Sequence, residues 1–271
     1  ITEDNEILHV CPQALDNFVR KVLPKLTKPF ILVTNNSDWT VPNDVFYEFN
    51  VLTNHDLLVH WFAQNCVVDH PKLTRIPIGL DYHTLIPTRK QKFSWSPPET
   101  HPWGIKLDPK LQEQQLITLK NLSKPFWERE IKAYGNFHFL MTTTYGKVDR
   151  VDAYNTVPKD LVFYEPTKCT RIVSWQNMID HAFVLSPHGN GLDCHRTWEA
   201  LCLGCIPIVK TSGLDPLFED LPVWIVSSWK DVTKENMVNK INEFRERTFR
   251  YERLELRYWR DRIHSKATRT N

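Results

Sequence analysis

The sequence predicts a mixed α/β protein made of two successive modules, each built around a parallel sheet. Short apolar runs of strand length alternate with segments whose apolar residues recur at helical spacing, which is typical of βαβ units. The alternation runs twice along the chain, and a proline- and charge-rich stretch at residues 86–104 separates the two passages. We therefore expect a long loop there and a change of module near residues 100–130, in a chain of 271 residues that is long enough for two moderate domains.

The first module is predicted from three short apolar runs and two helical patterns. The run PFILVT at residues 29–34 is rich in apolar residues and has no polar face, as in strands buried on both sides of a parallel sheet. The predicted strands are residues 7–11, 29–34 and 74–80, and the predicted helices are residues 14–26 and 54–65.

The second module repeats the pattern with more strands. A helix is predicted at residues 109–122, before the first strand of this module. The predicted strands are residues 136–143, 161–166, 183–187, 205–210 and 222–228, with helices at 175–182 and 194–204. Residues 233–264 carry one long helical pattern rich in Arg and Glu, which predicts a single C-terminal helix.

Composition and charge argue against several classes of protein. The 34 Lys and Arg residues nearly balance the 32 Asp and Glu residues, which is unlike a dedicated nucleic-acid-binding protein. No apolar run approaches the roughly 18 residues of a membrane helix, so we expect no membrane span. The acidic N-terminus is unlike a signal peptide, so we expect a cytoplasmic protein, and the alternative is a leader that has been removed. The basic, aromatic tail at residues 248–271 is compatible with an RNA-binding arm, but a helix that braces the first module explains it better.

The densest cluster of chemically useful residues is SPHGNGLDCHRTWEALCLGCIPIV, residues 186–209. The loop HGNG follows a predicted strand at its carboxyl end, where open α/β sheets bind their ligands. Gly189 and Gly191 are expected to adopt positive φ, which lets the backbone, with Asn190 between them, approach a ligand closely. Asp193 is expected to cap the helix that follows, whose free N–H groups and partial positive charge would attract an anion.

Charged side chains beside this loop suggest the kind of anion. His188 and Arg196 supply donors, and Glu199 shares a helix face with Arg196 because it lies three residues further on. A carboxylate at that distance from a phosphate-binding loop is placed to accept hydrogen bonds from both ribose hydroxyls. The pattern predicts a nucleoside diphosphate, and the alternative is a plain strand-to-helix turn with an Arg196–Glu199 surface pair.

A metal or redox site is a third interpretation of the same segment. Cys202 and Cys205 form a C-x-x-C pair, and His188, Cys194 and His195 are close to them in sequence. However, Cys202 falls in the last helical turn, Cys205 opens an apolar strand, and no second pair exists as structural zinc sites require. We therefore expect both cysteines to point into the core, with the intervening glycine ending the helix, and no metal or cofactor.

Residues 180–230 resemble the donor-binding signature of the exostosin-type glycosyltransferases. That signature has a Pro-x-Gly-x-Gly loop, an Arg-x-x-Glu-Ala helix and a Gly-Cys-Ile-Pro-Ile strand, and this chain has PHGNG, RTWEA and GCIPI in the same order. The segments VTNNSD, WFAQN and KLTRIPIGLDYHTL are similar to the N-terminal half of a viral and microbial branch, which includes the xylosyltransferases of large algal viruses. One position departs from the pattern: many such enzymes carry two glutamates eight positions apart, whereas Gly191 stands eight positions before Glu199.

The resemblance implies a GT-B-like fold, in which two Rossmann-like domains face each other across a cleft. Residues 1–125 would form the acceptor-side domain, residues 126–235 the nucleotide-sugar-binding domain, and residues 236–271 a C-terminal helix packing back on the first. The implied activity is transfer of a sugar, with xylose as the suggested one, from a UDP-sugar to a hydroxyl of an oligosaccharide or glycoprotein. A viral enzyme of this kind would work in the host cytoplasm. A non-catalytic nucleotide- or glycan-binding module is the alternative.

The charge on the leaving diphosphate must be stabilised in such a transfer. The sequence has no Asp-x-Asp pair, which metal-dependent transferases use to hold their cation, so we expect metal-independent catalysis. Arg196 and a second cation would take this role, with Arg150 as the first choice and Lys147 as the second. Tyr164 and Trp175 are candidates to pack on the nucleotide base.

An inverting transfer also needs a base to take the acceptor proton, and we expect it in the first module. Asp38 is the first choice because it follows PFILVT at the carboxyl end of a predicted strand. Asp81 and His83 stand in the equivalent place after RIPIGL, and Asp69 and His60 are further candidates. Each of the aspartates could instead form a turn or cap, since aspartate is favoured in such positions.

Overall fold

The computed structural model describes residues 5–82 and 108–268, which form two parallel β-sheets with helices packed on them. The predicted mixed α/β class is confirmed, while the loop predicted at residues 86–104 lies outside the described residues. The first sheet contains, in chain order and in spatial order, β1 (Glu6–His9), β2 (Phe30–Thr34), β3 (Leu58–Ala63) and β4 (Leu73–Arg75). Every pair is parallel, so the loops that follow these strands lie at one edge of the sheet.

The second sheet contains β5 (Glu130–Gly135), β6 (Val162–Tyr164), β7 (His181–Leu185), β8 (Ile206–Lys210) and β9 (Trp224–Val226). Its spatial order is β6-β5-β7-β8-β9, again with every pair parallel. Along the chain, β6 is therefore added on one side of β5, and β7, β8 and β9 are then added on its other side. Such a reversal opens a crevice beyond the carboxyl ends of the two central strands, where doubly wound sheets bind ligands.

The helices connect the strands and end the described chain. The first helical stretch changes type along its length, with 3-10 turns at Pro12–Ala14 and Leu23–Lys25, α1 (Leu15–Asn17) and a π turn at Phe18–Val22. The other α-helices are α2 (Phe46–Thr53), α3 (Pro109–Leu122), α4 (Thr144–Thr156), α5 (Arg171–Met178), α6 (His195–Cys202), α7 (Lys234–Arg245) and α8 (Leu256–Ala267). Within the described ranges, no helix has the length and apolar character needed to cross a bilayer.

The prediction of a helix at residues 54–65 is wrong, because these residues form β3 and its flanks. β3 lies between β2 and β4, and its two faces belong to different apolar clusters, with Trp61 in one and Phe62 in the other. A strand that is covered on both faces lacks the alternation of polar and apolar residues that marks a half-exposed strand. Periodicity alone therefore does not distinguish it from a buried helix.

The prediction of a strand at residues 136–143 is also wrong. The strand is β5, which ends at Gly135, and NFHFLMTT is the loop beyond it. The aromatic residues of this loop are typical of a strand, yet Leu140 is fully exposed at the surface of the molecule. The shift moves Asn136 and His138 from a sheet interior to the ligand-binding edge of the sheet.

The C-terminal region forms two helices rather than the single helix predicted at residues 233–264. α7 ends at Arg245, and α8 begins only at Leu256. α8 packs against β2 and β3, and the backbone N–H of Asn5 donates to the carbonyl of Ala267 at 2.9 Å. The strand predicted at residues 74–80 is likewise shorter, since β4 ends at Arg75.

One apolar cluster joins the two sheets. Ile31 and Phe62 from the first sheet belong to the same buried cluster as Trp198 of α6 and Val209 of β8. Trp259 of α8 completes this layer. The two halves of the molecule therefore share a continuous hydrophobic core.

α6 ends at the glycine predicted to stop it. Gly204 has φ of +72°, its N–H donates to Leu201, and the N–H of Cys205 donates to Ala200. This pair of bonds is the Schellman motif, which favours glycine because its central residue is left-handed. β8 follows at once, so the C-terminal end of α6 is fixed against the sheet.

Candidate functional site

A cavity of about 670 Å³ lies at the carboxyl ends of β5 and β7, between the two halves of the molecule. The first half lines it mainly with amide and hydroxyl side chains, among them Gln13, Asn35 and Ser37. The second half contributes the HGNG loop, residues 136–138 and two arginines. The cavity thus has one polar wall, which also carries the Asp38 carboxyl group, and one cationic wall.

The glycines of the HGNG loop are needed for close contacts within the protein, not for positive φ. Among the described glycines only Gly79 and Gly204 lie in the left-handed region, so the prediction for Gly189 and Gly191 is wrong on this point. A Cβ atom on Gly189 would lie 3.2 Å from Nη2 of Arg150, and one on Gly191 would lie 2.9 Å from Nδ2 of Asn65. The loop therefore packs tightly against both halves of the molecule.

The prediction that Asp193 caps the following helix is also wrong. The N-cap residue of α6 is Cys194, and it makes no side-chain capping bond. The buried Asp193 carboxylate instead accepts hydrogen bonds from the backbone N–H of Ile78 at 2.7 Å and from Nε1 of Trp198 at 2.8 Å. Its own N–H donates to Oδ1 of Asn65 at 2.9 Å. Asp193 therefore ties the loop to the first half of the chain, and burial raises its pKa to about 7.

Two arginines lie under the loop and are bound to neutral oxygen atoms. Arg150 of α4 donates from Nε to the carbonyl of His188 at 2.9 Å and from Nη1 to that of His138 at 2.6 Å. Arg196 of α6 donates from Nη2 to the carbonyl of Pro187 at 2.8 Å. No carboxylate in the described part of the chain lies within 4 Å of either guanidinium. Within residues 5–82 and 108–268, neither guanidinium group therefore forms an ion pair, although the charge of the nearby Asp149 acts on both.

Burial and mutual repulsion set the electrostatics of these arginines. Burial, and after it the nearby charge of Arg196, lower the pKa of Arg150 to about 10. Burial also lowers the pKa of Arg196. The Phe137 ring lies beside both, with its centroid 5.3 Å from Cζ of Arg196 and 6.0 Å from Cζ of Arg150. Buried like charges favour an anionic ligand, because its charge replaces the hydration that burial removed.

A smaller cavity of about 290 Å³ adjoins the first and contains the predicted ribose-binding acid. Glu199 lines it, with Oε1 4.0 Å from Nε of Arg171. Trp175 lines it too, and its buried Nε1 has no hydrogen-bond partner in residues 5–82 and 108–268. A buried indole N–H without a partner is unusual in folded proteins and is suited to bind an acceptor atom of a ligand.

The segment that carries Asp38 is held by two buried amides. Nε2 of Gln64 and Nδ2 of Asn65 both donate to the carbonyl of Ser37, at 2.8 Å and 3.1 Å. The backbone N–H of Asn36 donates to Oε1 of Gln64 at 3.0 Å. These bonds fix the loop after β2 at the edge of the larger cavity, and Asp38 lines that cavity.

Most of the residues predicted for the site line one of the two cavities. The larger cavity is lined by Asp38, Arg150, Gly189, Asn190, Gly191, Asp193 and Arg196, and the smaller one by Asp81, Arg196 and Glu199. His188 lines neither; its Nδ1 lies 3.0 Å from the carbonyl of Leu192, and its N–H donates to Asp149 at 2.8 Å. His188 thus shapes the loop from behind.

Four further predictions fall away from the two cavities or outside the described chain. Lys147 lies on the exposed side of α4, and Tyr164 packs in an aromatic cluster with Phe137 and Tyr154. Asp69 is exposed and paired with Arg75 at 2.6 Å. His83 lies outside the described residues. These placements give no support to Lys147 as the second cation or to Asp69 as the base.

The sequence analysis missed several polar residues of the cleft, including the amide and hydroxyl side chains of the first half and three residues of the second half. Asn136 and His138 line both cavities, but they fall in the segment that was predicted as a strand. Arg171 lines the smaller cavity and is paired through Nη2 with Oδ2 of Asp81 at 2.7 Å. Asn136 and His138 could have been predicted from their position just beyond the carboxyl end of β5. The sequence obscures that position, because EIKAYG, which forms β5, has a weaker strand pattern than the loop after it.

The C-x-x-C pair lies away from the cleft. Cys205 is buried, its Sγ accepts a hydrogen bond from Nη1 of Arg129 at 3.1 Å, and burial raises its pKa to about 11. Burial raises the pKa of Cys202 to about 12. Both thiols therefore remain protonated at neutral pH. Cys205 is buried in the core as expected, whereas Cys202, the last residue of α6, is only partly buried. In the described ranges, no three His, Cys, Asp or Glu side chains are grouped as a metal site requires.

The fold and the cleft define an α/β protein with a cationic cleft where the strand order of its second sheet reverses. Neither a protein-family model nor a curated protein matches the sequence. A solved structure of the wall teichoic acid polymerase TagF is similar to this chain at a TM-score of 0.24 and 12% sequence identity, over 97% of this chain and 88% of that chain.

Proposed function

We propose that this protein is a glycosyltransferase of the GT-B type that binds a nucleoside diphosphate sugar in the cleft and transfers the sugar to a hydroxyl of a glycan. The observation that carries the proposal is the pair of arginines, Arg150 and Arg196, which face the cavity without a carboxylate partner in the described chain. A diphosphate supplies the missing negative charge. The same cationic wall would stabilise the diphosphate as it leaves, since fixed charges in a buried site act strongly on developing charge.

The two adjoining cavities fit the two ends of such a donor. With the diphosphate at the arginines, the nucleoside would extend into the smaller cavity, where Glu199 accepts hydrogen bonds from the ribose hydroxyls. The indole N–H of Trp175 would then donate to an acceptor atom of the base. Uridine as the nucleoside and xylose as the sugar are suggested by the sequence resemblance.

The opposite wall suits a neutral sugar acceptor. Its amide and hydroxyl groups can exchange hydrogen bonds with hydroxyls, and Asp38 is the carboxylate that this wall of the larger cavity carries. A Cβ atom on Gly191 would lie 3.3 Å from Oδ1 of Asp38, so this acid stands against the diphosphate loop. In an inverting transfer the acceptor oxygen bonds to the anomeric carbon, the bond from that carbon to the diphosphate breaks, and Asp38 takes the acceptor proton.

The proposal is tested by thermal unfolding in the presence of a panel of nucleotides and by release of UDP from UDP-sugars. A ligand that binds only the folded protein at a hundred times its dissociation constant adds about 2.7 kcal/mol of stability. We expect UDP and UDP-sugars to raise the Tm, and NAD and ATP to leave it unchanged. Absence of a shift with every uridine nucleotide would contradict the proposal, and binding without turnover of any UDP-sugar would instead favour a nucleotide-binding module.

A further inference from the structure

His138 lies at the junction of the two cavities. Four residues line both cavities: Asn136, His138, His195 and Arg196. If the nucleoside occupies the smaller cavity and the sugar the larger one, the diphosphate that links them must pass this junction. The side chains here are therefore the ones that a departing diphosphate would meet.

Three of the four junction side chains already have partners within the protein. Asn136 donates from Nδ2 to Ser174 at 3.2 Å, and Nδ1 of His195 lies 2.8 Å from the carbonyl of Gly79. Arg196 donates to the carbonyl of Pro187. The imidazole of His138 has no hydrogen bond to any residue in the described ranges. Both of its ring nitrogens are therefore available to a ligand.

The main chain at His138 is held in place. Nη1 of Arg150 donates to its carbonyl at 2.6 Å, and the same guanidinium donates to the carbonyl of His188 in the HGNG loop. One arginine thus fixes the loop after β5 relative to the loop after β7. The imidazole, which is exposed in the absence of a ligand, therefore projects from a backbone that is fixed relative to the proposed phosphate site.

The charges around His138 determine its protonation state. Burial lowers the pKa of His138, and the positive charges of Arg150, Arg196 and Lys168 lower it further. The imidazole is therefore neutral at neutral pH in the absence of ligand, with one N–H that can donate a hydrogen bond. A neutral donor adds no repulsion to a site that already holds two guanidinium groups.

We infer that His138 is a catalytic residue that donates a hydrogen bond to the departing diphosphate, an inference that rests on the proposed function. As the acceptor oxygen bonds to the anomeric carbon, the bond from that carbon to the diphosphate oxygen breaks and its electron pair stays on the diphosphate. Asp38 takes the acceptor proton, and the N–H of His138 hydrogen-bonds the oxygen on which the charge develops. Because that charge grows toward the transition state, this bond is stronger there than in the bound donor.

The test measures UDP release from UDP-xylose and from UDP-glucose by the wild-type protein and three variants, with binding of UDP measured in parallel. We expect His138→Ala to lower kcat by about tenfold to a thousandfold, as removal of one oxyanion donor does in other enzymes, while the dissociation constant of UDP changes much less. His138→Asn keeps an N–H donor and should recover part of kcat. His264→Ala, at an exposed histidine of α8, is the control and should match the wild type.

The outcomes separate this role from the proposed function. A wild-type protein that neither binds UDP nor releases it from either sugar donor overturns the proposed function and this role with it. Wild-type turnover that persists unchanged in folded His138→Ala overturns the role of His138 alone. The Tm shows whether His138→Ala is folded. If it is not, His138→Asn is used to test the role of His138. An equal loss of kcat and of UDP affinity in His138→Asn would mean that His138 makes a binding contact and has no catalytic role.

Discussion

Gly146 of α4 lies directly against the carbonyl of Gly189, and a Cβ atom on Gly146 would collide with that oxygen. The hydroxyl of Tyr145, one residue earlier, donates to the carbonyl of Asn190. The first turn of α4 is therefore the surface on which the HGNG loop rests. Since Arg150 lies on the same helix, the loop and one of the two cleft arginines are positioned together.

Gly146→Ala is expected to destabilise the protein, which is the opposite of the usual effect. In a helix, Ala in place of Gly ordinarily adds about 0.5–1 kcal/mol of stability. Here the new methyl group collides with a backbone carbonyl, so we expect a loss of about 1–3 kcal/mol, as in other overpacked sites. Urea denaturation measures the free energy of unfolding, and Val148→Ala, at an exposed site of the same helix, is the control. A gain in stability with unchanged UDP binding would contradict the close contact.

Arg196→Gln is expected to abolish most of the affinity for UDP. Hydrogen bonds to charged groups contribute about 1.5–3 kcal/mol, which predicts a dissociation constant raised at least about tenfold. The fold should persist, because the substitution also removes repulsion between two buried guanidinium groups. Titration calorimetry with UDP measures the change. Arg247→Gln, at an exposed arginine just beyond the end of α7, should bind UDP as the wild type does. Equal affinities of the two variants for UDP would mean that the diphosphate does not bind at Arg196.

Glu199→Gln tests the position of the ribose. The wild-type protein should bind UDP more tightly than 2′-deoxy-UDP, by about tenfold or more, if a carboxylate accepts a hydrogen bond from the 2′-hydroxyl. The variant should lose most of this preference, while Glu235→Gln, at an exposed acid of α7, should keep it. The measurement is the ratio of the two dissociation constants for each protein. An unchanged ratio in Glu199→Gln would place the ribose elsewhere.

Asp193→Asn is expected to alter how stability depends on pH. Because the folded-state pKa of Asp193 is raised to about 7, the folded protein keeps a proton that the unfolded chain releases above about pH 4. This contribution to stability is full below the unfolded pKa and is lost as the pH rises through the folded one. The free energy of unfolding should therefore fall more between about pH 5 and about pH 8 in the wild type than in the variant.

Comparison of the two proteins removes the contributions of other groups that titrate in this range. His60 is one of these: burial lowers its pKa to about 4, so its effect on stability has the opposite sign, but it is present in both proteins. Urea unfolding at both pH values gives the difference. Parallel pH profiles for the wild type and Asp193→Asn would mean that Asp193 is ionised in the folded protein.

The sequence was informative where local chemistry determines structure. The pattern of residues 183–210 placed β7, the loop, α6 and β8 to within a few residues, because glycine stops a helix and apolar β-branched runs make buried strands. The same reasoning brought Arg196 and Glu199 to adjoining cavities. What it could not give was the contact partner of each glycine, since Gly146 and Asn65 are distant in sequence from the loop that they touch.

The two errors of element type have one physical origin. Both β3 and the loop after β5 are rich in apolar and aromatic residues without a clear period, and tertiary packing decides what each becomes. β3 is a strand because β2 and β4 pair with it on both sides. The side chains of the loop after β5 instead pack at the cleft: Phe137 lies beside two arginines, and His138 lines both cavities.

The hydrophobic layer shared by the two sheets limits how this chain can be divided. A break in the segment between β4 and α3 would leave Ile31 and Phe62 on one fragment and Trp198 and Val209 on the other. The apolar side chains of each fragment would then be exposed, because the residues that cover them belong to the other fragment. Large uncovered apolar patches drive association. Either fragment made alone should precipitate, whereas the two made together should reassemble by complementation, so the ligand cleft can exist only when both pieces are present.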